Sequence, residues 1–252
     1  MTNDDLRGRT YSVELLYESP PALDEAALVA AVQARLPLAR LLGRGARGFS
    51  FAHPDLPIGR AGARELHAQT LVGLLAPPAF ERLAPALLQS WRVERDPGRL
   101  RACRGALLVS ELASHGTLAP AARLGLVQDL AAAVASLHAP VLLHWPAAQE
   151  LTDGASWCDG LAERRHPDLA AGGLNVRLFR VEDGRHPGES LMDTMGLALL
   201  GLPDVQCHFH GLEREDVAHV LFSTAAYLFA VSYTHLRAHE TVLDLVCRLL
   251  LE

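Results

Sequence analysis

The chain has 252 residues, half of them hydrophobic, so it can bury a core of its own without disulfide or metal staples. Its formal charge is -6, its 23 cationic residues are all arginine, and no basic run occurs, which argues against a nucleic-acid or anionic-membrane surface. No apolar run approaches the roughly 20 residues of a membrane span. Met1 to Thr10 lacks the basic-then-apolar order of a secretory signal, and Cys103, Cys158, Cys207 and Cys247 form no Cys-x-x-Cys pair, so a cytoplasmic address with reduced thiols is expected.

Tyr11, Val13, Leu15 and Tyr17 alternate with mostly polar positions and predict an opening strand. Pro20 and Pro21 end it, and Asp24 caps a helix bearing Leu28, Val29, Val32 and Leu36 on one face. Gly43 to Gly62, with Pro54 and Pro57, reads as loops around a short strand at Phe49 to His53. A strand follows at Leu66 to Leu75, then a helix from Phe80 to near Trp91 and a central strand at Gly105 to Ser110. The second half opens with a helix from Ala119 to His138 whose stripe is Leu126, Val127, Leu130, Val134 and Leu137. Strands are expected at Val141 to Trp145, Asn175 to Val181, Leu191 to Leu200 and Val205 to His210, then a helix from Glu213 to Ala230. The expected class is α+β: two ferredoxin-like β-α-β-β-α-β halves, about 11–112 and 113–230, packed as one body with the last strand missing.

Candidate chemistry is sparse. Gly43, Gly45 and Gly48 fit G-x-G-x-x-G, but they follow a helix and lead into a strand, the reverse of a dinucleotide site. Cys207, His208 and His210 are metal-ligand types on one predicted strand, yet alternation sends Cys207 to one face and the histidines to the other. Ser110, Glu111 and His115 follow a central strand without a G-x-S-x-G elbow. Asn175, Arg177, Asp193, Thr194, Gln206 and His208 are polar residues on neighbouring predicted strands, where Arg177 and Asp193 can form a charge-assisted pair that organises a pocket. Trp91 and Trp145 read as core or pocket wall. No metal or cofactor is expected. The leading reading is a non-enzymatic interaction or accessory protein with an unidentified protein partner, and the alternative is a small-molecule enzyme with a pocket near Arg177, Asp193 and His208.

Val231 to Thr241 resembles one reading frame of a DNA-sequencing adapter, and Leu245 to Glu252 resembles the anchor that follows it, with Val242 to Asp244 in the index position. Residues 231–252 are therefore expected to be foreign, including the metal-like His235, His239 and Glu240 and the helical spacing of Leu243, Val246, Leu249 and Leu250. The rest carries distinctive segments: Tyr11 to Glu18, Gln89 to Trp91, His144 to Pro146, Asn175 to Phe179, Leu191 to Leu212 and Ala225 to Ala230. Together they resemble a bacterial family known as domain of unknown function 4261, over nearly all of residues 11–230. The resemblance implies an architecture, a bacterial source and a native continuation past Ala230, and it implies no activity.

Overall fold

The computed structural model describes residues 10–61, 64–112, 114, 117–161, 167–182 and 188–235. Strand β1 (Ser12–Tyr17) is buried on both sides, since Val13, Leu15 and Tyr17 enter one apolar cluster and Leu16 a second. It lies inside a seven-stranded sheet ordered β2-β3-β4-β5-β1-β6-β7. The other strands of this sheet are β2 (Arg40–Gly45), β3 (Gly48–Ala61), β4 (Arg64–Leu75), β5 (Gly105–Leu112), β6 (Leu142–Trp145) and β7 (Glu150–Asp153). A smaller sheet, ordered β10-β9-β8, is built from β8 (Asn175–Arg180), β9 (Ser190–Met195) and β10 (Gln206–Phe209).

Helices α1 (Glu25–Arg35) and α4 (Pro120–Leu137) cover one face of the large sheet. Asp24 caps α1 by accepting the Ala27 N–H at 2.8 Å, and Leu28 and Val32 are buried, as the spacing predicts. In α4 the stripe widens into a helix buried nearly all round, with Ala131, Ala132, Ala133 and Ala135 sealed as well, the mark of a central helix. Helices α2 (Phe80–Gln89) and α3 (Pro97–Ala102) cover part of the opposite face through Leu83, Leu87 and Leu100. Short α5 (Gly154–Asp159) follows β7, α6 (Leu197–Leu200) follows β9, and α7 (Arg214–His235) packs on the small sheet through Val217 and Leu221.

The α+β class stands as the sequence predicts. The strand order departs from ferredoxin-like halves, in which the first strand lies between the third and the fourth: here β5, the last strand of the first half, lies between β4 and β1, and β6 and β7 extend the same sheet. The expected loop at Gly43 to Gly62 is the β2–β3 hairpin and a long strand. Pro54 and Pro57 are accommodated because the β3–β4 register slips between His53 and Pro57 and again between Pro57 and Gly59. The strand expected to reach Leu200 stops at Met195, where Gly196 takes φ 127° and Asp204 accepts the Leu197 and Ala198 N–H groups at 3.1 and 3.3 Å, capping α6. His239, Glu240 and the other tail residues singled out lie outside the described residues, as does the side chain of His235.

The two sheets are joined by Gln89, Ser90 and Trp91. Gln89 accepts the Leu178 N–H and donates to the Leu178 carbonyl, both at 3.2 Å, and the Trp91 indole donates to the Val176 carbonyl at 2.5 Å. Side chains thus occupy the outer edge of β8 as a strand would. On the other side, Ser90 Oγ accepts the Leu151 N–H of β7 at 2.8 Å and donates to the Ala86 carbonyl at 2.6 Å. Ser90→Ala leaves that buried N–H without an acceptor, and an expected loss of about 1–2 kcal/mol is measurable by urea unfolding.

Candidate functional site

Directly opposite residues of an antiparallel pair share a face, so the register of the small sheet sorts the predicted polar residues. Arg177 of β8 faces Asp193 of β9, which in turn faces Gln206 of β10. The next row is Phe179, Leu191 and His208, and Asn175 pairs with Met195. Five of the six candidates therefore share one face. Thr194 follows Asp193 directly in an extended strand and must point the other way, where it is buried, donates to Asp204 Oδ1 at 3.2 Å and accepts the Val205 N–H at 2.8 Å.

The predicted ion pair forms. Arg177 Nε and Nη2 donate to the two Asp193 oxygens at 2.9 and 2.5 Å, a bidentate arrangement. These hydrogen bonds hold the guanidinium more firmly protonated than usual. Arg177 also donates to Gln149 Oε1 at 3.1 Å and lies over the Phe179 ring at 5.2 Å. Asn175 donates to the Gln149 carbonyl at 3.3 Å, and Gln149 holds a left-handed φ of 48°, an uncommon conformation for a residue with a Cβ. His208 Nε2 lies 3.1 Å from Glu189 Oε1. Gln149 was missed by sequence reasoning, since nothing in a tight turn announces that its side chain crosses to another sheet.

Phe179, Leu191 and Met195 are half-buried on this face, whereas the opposite face, with Val176, Met192 and Phe209, is sealed by α7. Cys207 packs on the α7 side and His208 on the open side, as alternation predicts. The surface grooves of about 490, 490 and 400 Å³ include neither Arg177 nor Asp193, and among the described residues no helix packs over this face of the small sheet as α7 does on the other.

Other ionisable groups are buried within the large sheet, and the sequence reading passed over most of them. Glu14 of β1 accepts bidentately from Arg82 at 3.1 and 2.7 Å and lies 3.1 Å from His144 Nδ1. Burial pushes its carboxyl up, but the hydrogen bonds from His144 and Arg82 outweigh that and hold it at about 2. Glu111 and Arg123 form a second buried pair. Glu150 is buried with its Oε2 unpartnered among the described residues, and desolvation pushes its carboxyl up to about 8. His53 is buried beside Thr70 Oγ1 at 2.9 Å, and burial lowers its ring to about 4. Ser110 is buried and donates to the Glu111 carbonyl at 2.9 Å, while His115 lies outside the described residues. The signal available in the sequence was Glu14 itself, a carboxylate amid the apolar run of β1.

Residues 193–242 match the model of a family described as a domain of unknown function (DUF4261). The match begins on Asp193 in β9, crosses β10 and α7, and ends beyond the last described residue. No curated protein and no solved structure matches the chain. Over its C-terminal portion, which holds three of the five residues gathered on the open sheet face, the chain is similar to that family.

Proposed function

We propose that the chain is a non-enzymatic interaction domain whose docking surface is the open face of β8, β9 and β10. One observation carries this reading: α7 seals one side of the small sheet while the other keeps Phe179, Leu191 and Met195 half-buried around the bidentate Arg177–Asp193 pair. Protein interfaces favour aromatic, methionine and arginine groups held in a fixed geometry, because less side-chain entropy is lost on binding. Both Asp193 oxygens are already occupied by Arg177, which suits positioning better than proton transfer. The distinctive segments together with the C-terminal match support membership of the DUF4261 family and, with it, a bacterial source; the adapter-like runs Val231 to Thr241 and Leu245 to Glu252 support a foreign stretch at 231–252, against which stands the family match as far as residue 242.

The test places a photo-crosslinking amino acid at Leu191 and, as control, at exposed Leu38, between α1 and β2, in cells of the source organism. A discrete protein adduct specific to Leu191 is expected, and Asp193→Arg is expected to remove it. Identical adduct patterns at the two positions would overturn the reading.

A further inference from the structure

We infer that the face of strands β2, β3 and β4 that no described helix covers docks an amphipathic, acid-bearing helix of a partner protein. The large sheet has helices on both sides over its centre, where α2 and α3 cover β1, β6 and β7 on the second face. That layer stops short of the hairpin, and a groove of about 490 Å³ remains. Its floor follows the register: Gly45, Gly48, Gly73 and Leu108 form one row, and Gly43, Ser50 and Leu71 the next. Leu75 extends the apolar floor toward the α2 layer, and Leu71, Leu75 and Leu108 are only half-buried. An apolar sheet face is ordinarily closed by another layer, and a helix continuing the α2 layer is the element that fits.

The glycines favour a close-approaching backbone. Gly48 is fixed by the fold, since a Cβ there would lie 2.3 Å from the Val72 carbonyl oxygen. Gly43, Gly45 and Gly73 are under no such demand: none has positive φ, and the nearest atom to an added Cβ would be Ser50 Oγ at 3.2 Å, the Gly48 oxygen at 3.7 Å and the Arg47 oxygen at 3.5 Å, respectively. Glycine weakens a strand, so three that the fold does not require mark a surface kept low for a neighbour. Charge selects the neighbour. Arg47 lines the groove at the hairpin tip and has no ion pair among the described residues although the chain is acidic overall, whereas Arg44, also in the lining, is already paired with Glu25 of α1. Acidic residues at the edge of an apolar stripe complement that rim.

The test uses the full chain with a photo-crosslinking amino acid at Leu71, in cells of the source organism, and sequences the crosslinked peptide. The expected result is a heterologous peptide with leucine-type residues at helical spacing flanked by Asp or Glu. The yield is expected to fall at least tenfold in Gly73→Leu, which fills the groove, and in Arg47→Glu, which reverses the rim, with Tm unchanged in the latter. A peptide from a second copy of this chain, an adduct to lipid alone, no adduct, or an adduct that survives Arg47→Glu would each overturn the proposal. The Leu191 experiment reads a different surface, so either proposal can fail alone.

Discussion

Arg123→Met is expected to cost about 3–5 kcal/mol, because it strands an ionised carboxylate in the core. Glu111 is fully buried and Arg123 nearly so. Arg123 Nε donates to both Glu111 oxygens at 2.8 and 3.1 Å, and Nη2 donates to Oε1. The same carboxylate accepts the Tyr11 N–H at 3.0 Å and the Ser114 hydroxyl at 2.5 Å, while Arg123 Nη1 reaches the Leu199 carbonyl. One ion pair therefore ties the residue leading into β1 to β5, α4 and α6. Adding Glu111→Leu removes the stranded charge and is expected to recover part of the loss; the Tyr11 N–H then lacks its acceptor, which limits recovery by about 1–3 kcal/mol. Urea unfolding of the wild type, the single variant and the double variant reads all three values. A single variant that loses less than about 1 kcal/mol would show that the pair is not holding the core.

Glu150→Gln is expected to stabilise the fold by about 2 kcal/mol at pH 7, and the gain grows with pH. Burial raises the folded carboxyl to about 8 from the ordinary 4.5, so the folded chain keeps a proton that the unfolded chain has released. Stability from this group is present below pH 4.5 and is lost as pH rises toward 8. His53 acts in the opposite sense: its folded ring titrates near 4, so its contribution is present above about 6.5 and is lost as pH falls toward 4. Glu14, lowered to about 2, loses its contribution as pH falls from 4.5 toward 2. The wild type is thus expected to be flat between about pH 4.5 and 6.5 and to weaken on both sides. Glu150→Gln is expected to keep rising to about 6.5 and then level. Thermal melts across pH 4 to 9 check this, and parallel curves for the two proteins would contradict it.

The elements read correctly from sequence are those whose signal is local. Val13, Leu15 and Tyr17 alternate, and Asp24 sits one residue before the first turn of α1, so β1 and α1 needed no knowledge of their neighbours. The β2–β3 hairpin was hidden because Gly and Pro punctuate loops and strand edges alike, and only the register slips decide between them. Strand β7 and helix α5 span four and six residues, too short for a period to show. The joint made by Gln89, Ser90 and Trp91 connects residues as far as 89 apart in sequence, and no pattern along the chain predicts that a glutamine will complete a distant strand.

The candidate site divides in the same way. Arg177 and Asp193 were legible as a cross-strand pair because each lies on a recognisable strand. Thr194 was grouped with Asp193 although adjacent strand residues cannot share a face, a constraint that the sequence alone contained. Gln149 and Arg123 were not legible as site or core groups, since their partners arrive from other elements; Glu111 was read as a residue following the central strand, and it lies within β5 and pairs with Arg123.

The central claim is that the Arg177–Asp193 face binds a protein, beyond any part it has in holding the small sheet together. The exchange variant Arg177→Asp with Asp193→Arg keeps an ion pair across β8 and β9 while inverting the charge pattern offered to a partner. With the crosslinking amino acid at Leu191, the exchange is expected to leave Tm within a few degrees of the wild type and to abolish the adduct. An adduct of undiminished yield from a folded exchange variant would contradict the claim.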